Sequence, residues 1–62
     1  MTWELYEVWS EIDGHEELID TTKSRKEALQ LAKKAINEGA DVAKVFRETE
    51  EGDYEEIERL TA

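Results

Sequence analysis

The chain has 62 residues, no cysteine and no proline, and seventeen acids against eight bases for a net charge of −9. At this length a chain makes one domain, residues 1–62, and buries only about 60% of the surface that its unfolded form exposes, so catalysis that needs a sizeable enclosed pocket is disfavoured. Without cysteine there is neither a disulfide nor a thiolate metal site, and the acid excess repels phosphate backbones.

The charge is unevenly placed. Residues 1–22 hold seven acids and no lysine or arginine, residues 23–47 hold seven bases and three acids, and residues 48–62 hold seven acids with Arg59 as the lone base. No apolar run is long enough to cross a bilayer, and Met1, Thr2, Trp3 and Glu4 lack the basic and apolar regions of a signal peptide. The expectation is a cytoplasmic protein.

Trp3 to Ile12 is rich in aromatic and branched residues, Asp13-Gly14 is a strong two-residue hairpin signal, and His15 to Thr22 forms the return strand. Pairing across that turn sets Ile12 opposite His15, Trp9 opposite Leu18 and Val8 opposite Ile19. One face then carries Tyr6, Val8, Ile12 and Ile19. The other carries Trp3, Leu5, Trp9 and Leu18 among Glu7, Glu11, Glu16 and Asp20, with Glu7 opposite Asp20. The first face is expected to meet a helix.

That helix follows at once. Ser24 and Glu27 make a capping-box pair, in which the serine hydroxyl accepts from the Glu27 amide and the glutamate reaches back to the Ser24 amide. Leu29, Leu31, Ile36 and the alanines at 28, 32 and 35 then fall on one arc of about 160°. Lys26, Gln30, Lys33, Lys34 and Asn37 take the opposite side, which reads as a solvated stripe, because no base-reading motif accompanies the lysines. Three alanines on the apolar stripe let the backbone lie close to a sheet, and Gly39 suits the left-handed stop.

Asp41 to Thr49 reads as a third strand, Glu50 to Asp53 as a loop around Gly52, and Tyr54 to Leu60 as a fourth strand. A three-residue loop pairs Arg47 with Glu55 and Lys44 with Glu58; a two- or four-residue loop brings Lys44 opposite Arg59. Charge pairing favours the first. Val42, Phe46 and Leu60 are then expected on the helix side, and Val45 and Ile57 on the other. The fold class is α+β, a ββαββ arrangement with a four-stranded antiparallel sheet in the order 2-1-3-4 and one helix on one face. The edge strands, two and four, carry acids that discourage edge-to-edge pairing.

Catalytic and metal constellations are thin. His15, the only histidine, sits at a turn near Asp13, Glu16 and Glu17 without a recognised ligand spacing. Ser24 is taken by the cap, which leaves Ser10 with no base and no pocket. The acids at Glu50, Glu51 and Asp53 lie on a loop tip, and each glycine is an isolated turn or cap residue. The reading is a non-enzyme with no cofactor and no small-molecule substrate.

Asp13-Gly14, the Ser24-to-Glu27 start, the Glu27-Ala28 and Leu31-Ala32 pairs, Gly39-Ala40 and Val45-Phe46 before Gly52 together resemble small bacterial and phage ββαββ domains of unknown function. Thr22 to Phe46 also looks like half of a SPOR-type peptidoglycan-binding repeat. The second βαβ half of that repeat is missing here, so its function is not carried over.

The strongest functional feature is the second sheet face. Trp3, Leu5, Trp9 and Leu18 there, with Val45 and Ile57, have nothing in one chain to cover them, and tryptophan gives large contact area at low entropic cost. The leading reading is therefore a protein-interaction module, homodimeric in its simplest form, with Trp3, Leu5, Trp9 and Leu18 as anchors and Glu7, Glu11 and Asp20 as a rim. A competing reading takes the carboxylates of residues 4–20 and 48–58 as a mimic of a nucleic-acid backbone that inhibits a basic protein. Ordinary solubility accounts for the same acids. A third reading is an idealised designed chain, which the caps and the Glu/Lys-rich surface suit and the strand tryptophans and the Glu7–Asp20 pair do not.

Overall fold

The computed structural model describes residues 2–62; Met1, which the single-domain reading includes, lies outside the described residues. Strands β1 (Glu4–Ile12) and β2 (His15–Thr22), helix α1 (Arg25–Asn37), and strands β3 (Val42–Thr49) and β4 (Tyr54–Thr61) follow one another along the chain. The sheet order is β2-β1-β3-β4 and every neighbouring pair is antiparallel, as the topology argument predicts.

Local chemistry sets the connections. Asp13 and Gly14 both take positive φ, 51° and 82°, the backbone of a primed two-residue turn, and Ile12 faces His15 across it. Asp41 clamps this turn to the start of β3: its carboxylate accepts from the Asp13 amide at 3.0 Å, and its own amide donates to the Glu11 carbonyl at 2.9 Å. Ser24 caps α1 by accepting from the Glu27 amide at 3.2 Å. The reciprocal half of the expected capping box is built differently. The Ser24 amide donates to the Thr22 hydroxyl at 3.1 Å, and that hydroxyl donates to Glu27 at 3.1 Å, so a threonine is interposed where direct contact is expected. At the other end the Ala40 amide reaches the Ala35 carbonyl and the Gly39 amide reaches the Ile36 carbonyl, a Schellman stop in which Gly39 takes φ 111°.

The core is small in both number and volume. Tyr6 and Val8 from β1, Ala43 and Val45 from β3, Ala28, Ala32 and Ala35 from α1, and Ala40 after it are its buried residues, and Val8 and Val45 are the largest fully enclosed side chains. Leu31, Ile36, Ile57 and Leu60 pack around its rim. The helix lies closest over the two central strands.

Two β-bulges correct the expected registers. Val8 faces Asp20 while Trp9 faces Leu18, so Ile19 is the extra residue of β2. The pairings of Val8 with Ile19 and of Glu7 with Asp20 do not form; Glu7 faces Thr21. In β4 the extra residue is Ile57: Arg47 faces Glu55 as expected, but beyond the bulge Val45 faces Glu58 and Lys44 faces Arg59. A bulge turns two successive side chains toward the same side, so each edge strand sends an isoleucine and the acid after it to the helix side.

The inward face of β3 is also the reverse of the expectation. Val8 pairs with Val45 and Ser10 with Ala43, which places Val45 beneath the helix and puts Val42 and Phe46 on the far face beside Glu11 and Glu7. Ile57 likewise packs on the core, not away from it. On that side β3 contributes the small Ala43 and Val45, both fully enclosed, and the large ring packed with Ala28, Ala32 and Ala35 is Tyr6 of β1.

Candidate functional site

Pairing registers define the far face row by row. Leu18, Trp9, Lys44 and Arg59 form one row across the four strands, and Thr21, Glu7, Phe46 and Glu56 form the next. Leu5, Glu48 and Tyr54 lie beyond on one side, and Glu16, Glu11, Val42 and Thr61 on the other. Trp3 continues the row of odd-numbered β1 residues, held where the Glu50 amide donates to its carbonyl at 3.2 Å.

Four of the five aromatic residues, Trp3, Trp9, Phe46 and Tyr54, therefore occupy a face that no helix covers; only Tyr6 is in the core. Trp3, Leu18 and Tyr54 are 44%, 43% and 53% exposed, whereas Leu5, Trp9, Val42 and Phe46 are half-buried by their neighbours. Phe46 and Tyr54 stack with ring centroids 5.2 Å apart and planes 5° from parallel. The Glu7 carboxylate accepts from the Tyr54 hydroxyl at 2.8 Å and from the Trp9 indole at 3.2 Å, which ties β4 to β1 across β3 through one oxygen, Oε1. Burial of the phenol, then its bond to Glu7, push Tyr54 up to about 12.

Cations sit inside this face. Lys44 is largely covered and bonds Glu16 at 2.5 Å, with Glu11 at 4.0 Å; the contact holds the Glu16 carboxyl below its ordinary range. Arg59 pairs with Glu56 at 3.0 Å. The direct juxtaposition of Lys44 and Arg59 across β3 and β4 is thus offset by an acid on either side.

The sequence-predicted anchors Trp3, Leu5, Trp9 and Leu18 and the rim residues Glu7 and Glu11 come together here. Asp20 does not: the Ile19 bulge swings it to the helix side opposite Val8, where its carboxylate accepts from the Thr21 amide. Val45 and Ile57 leave the patch, and Val42, Phe46 and Tyr54 enter it. Alternation from Phe46 and Tyr54 alone carried that signal, provided the helix side of β3 was taken as its smaller residues.

The remaining candidates are dispersed. Among the described residues no three His, Cys, Asp or Glu side chains gather to hold a metal ion, so His15, Asp13, Glu16 and Glu17 form no such group. No helix among them is long and apolar enough to cross a membrane. The carboxylates of the mimic reading divide between both faces, and Glu16, Glu55, Glu56 and Glu58 pair with Lys44, Arg47, Arg59 and Arg25. Comparison with family models, with curated proteins and with solved structures finds no match for this chain.

Proposed function

We propose that the chain is a small non-catalytic interaction module that self-associates by packing the far face of its sheet on the same face of a second copy. The observation that carries this reading is the placement of Trp3, Trp9, Phe46 and Tyr54, with Leu5, Leu18 and Val42, on the face without a second layer. Four strands about 4.8 Å apart and eight residues at about 3.4 Å each give a footprint of about 500 Å² per copy. Two copies then bury roughly 1,000 Å², the level at which specific interfaces begin.

The rows also suit a second copy electrostatically. With a two-fold axis lying across the strands between the Trp9 row and the Glu7 row, Arg59 meets Glu56 of the second copy, Trp9 meets its Glu7, and Lys44 meets the face of its Phe46. Such an arrangement avoids like-charge contact at the centre, and in the outer rows, at the rim of the footprint, it sets Glu11 opposite Leu5 and Glu48 opposite Val42.

Sedimentation across a concentration series tests the reading. The expected result is a mass that rises from the 7.2 kDa monomer with concentration, and a Trp9→Lys variant that stays monomeric with unchanged far-ultraviolet circular dichroism. A monomer at every concentration, with fully solvated tryptophan emission, defeats self-association. Capture of a basic protein that weakens steeply with salt yet survives Trp9→Lys favours the acidic-mimic reading instead.

A further inference from the structure

We propose that the free edge of β2, with the groove between that strand and the C-terminal end of α1, takes an extended segment of a protein partner that alternates apolar and basic side chains, adding it as a fifth strand. Ile12 and His15 flank a two-residue turn and so form a hydrogen-bonded pair; alternation from there leaves the backbone N–H and C=O of Glu16 and Leu18 pointing away from β1. The Glu11 carbonyl, which turns to β3 to accept from Asp41, fixes the same alternation from the other side.

Beside this open edge lies a cavity of about 280 Å³ lined by Ser10, Ile12, Ile19, Ala35, Glu38 and Ala40. It exists because the helix sits over β1 and β3 and stops short of the hairpin, so that Ile12 and Ile19 remain 49% and 42% exposed on the helix side. The pocket has room for an apolar side chain from an added strand.

Charge selects the occupant and the edge. At the opposite edge Glu55, Glu56 and Glu58 are each paired with an arginine of this chain. Around the β2 groove Glu17, Asp20 and Glu38 have no salt-bridge partner among the described residues, and positions 13–22 contain no lysine or arginine. A second copy pairing β2 on β2 brings these acids against themselves, whereas a basic segment neutralises them. The edge uses the outward backbone of Glu16 and Leu18, whose side chains belong to the far face, and Trp9→Lys, which acts on the far face alone, separates this proposal from self-association.

The probe is a synthetic peptide of alternating lysine and valine, titrated into the full chain and followed by amide exchange and chemical shift. Expected are slowed exchange at Glu16 and Leu18 and an affinity that falls with salt. Leu18→Pro, which removes an outward N–H at an edge that tolerates proline, and Ile19→Lys, which places a cation in the groove, are each expected to lower affinity about tenfold or more. Leu18→Ala and Trp9→Lys are expected to stay within about twofold. No binding, equal binding of a glutamate–valine peptide, undiminished affinity in both Leu18→Pro and Ile19→Lys, or protection confined to β4 or the far face overturns the proposal.

Discussion

The two faces of the sheet sort this chain's apolar residues by size. The core between α1 and the sheet is made of five alanines, two valines and one tyrosine, while the far face holds both tryptophans, the phenylalanine and Tyr54. Fully burying a valine contributes about 1.5 to 3 kcal/mol, so the alanine-rich side draws its stability from close approach and few voids more than from buried area. A thin core of small residues defines the helix position sharply, because any added volume must lift the helix. The far face is the converse: large side chains lie over the strands, tied through Glu7, and Trp3 and Tyr54 stay about half exposed. One side therefore specifies the fold, and the other supplies the area on which the proposed self-association draws.

Placing the same charge on each face of β3 gives the largest contrast. Val45 is fully enclosed, and Val45→Asp buries a carboxylate without a partner; the cost exceeds the roughly 3 to 5 kcal/mol that a core of this size supplies. Loss of the cooperative thermal transition is expected. Val42→Asp, on the half-exposed face three residues away, is expected to cost the monomer about 1 kcal/mol or less while weakening self-association. Equal destabilisation by the two variants refutes the division of labour.

Volume sharpens the same comparison. Ala32→Leu forces extra methylenes between α1 and the sheet and is expected to cost about 1 to 3 kcal/mol in urea unfolding, since Ala32 has no exposed surface into which a larger side chain can turn. Leu18→Ala removes comparable volume from the far face and is expected to change monomer stability by about 1 kcal/mol or less. Ser24→Ala, which acts on the helix alone, falls between them at about 1 kcal/mol through loss of the bond to the Glu27 amide.

Elements and their order were legible because local chemistry fixes them. Asp13-Gly14, Ser24, the alanine stripe and Gly39 each act within a few residues, and the topology rules leave few arrangements for two hairpins around one helix. What was not legible depends on distance and packing. The bulges at Ile19 and Ile57 shift register by one residue without a glycine to mark them, and that shift moved Asp20 off the candidate face and brought Lys44 beside Arg59. The inversion of β3 has another origin. Hydrophobicity ranks Phe46 above Val45 as a core residue, but the large ring on the helix side comes from Tyr6 of β1, and β3 fills the space beside it with Ala43 and Val45. The four predicted anchors share one face because Leu5 and Trp9 belong to β1, Trp3 directly precedes it, and Leu18 lies in the part of β2 before its bulge.

Each face also holds one tyrosine bonded to one glutamate, which allows a smaller and more local test. Tyr6, buried under the helix, donates to Glu4 at 2.6 Å; that bond first, and burial second, raise its phenol above the ordinary value. Tyr54 on the far face is raised to about 12 by burial and by the Glu7 bond. A phenol whose folded pKa is raised contributes stability that is whole below a pH of about 10, where free tyrosine is still protonated, and loses it as the pH rises through about 12. Alkaline absorbance titration is expected to show both tyrosinates appearing above the pH of free tyrosine. With half of Tyr54 exposed, the carboxylate is the more secure of its two causes, so Glu7→Gln is expected to bring Tyr54 down toward 10 and leave Tyr6 unmoved, while Glu4→Gln does the reverse. If Glu7→Gln leaves Tyr54 where it was, desolvation alone holds the phenol, and the far face is already more closed in solution than a half-exposed ring implies.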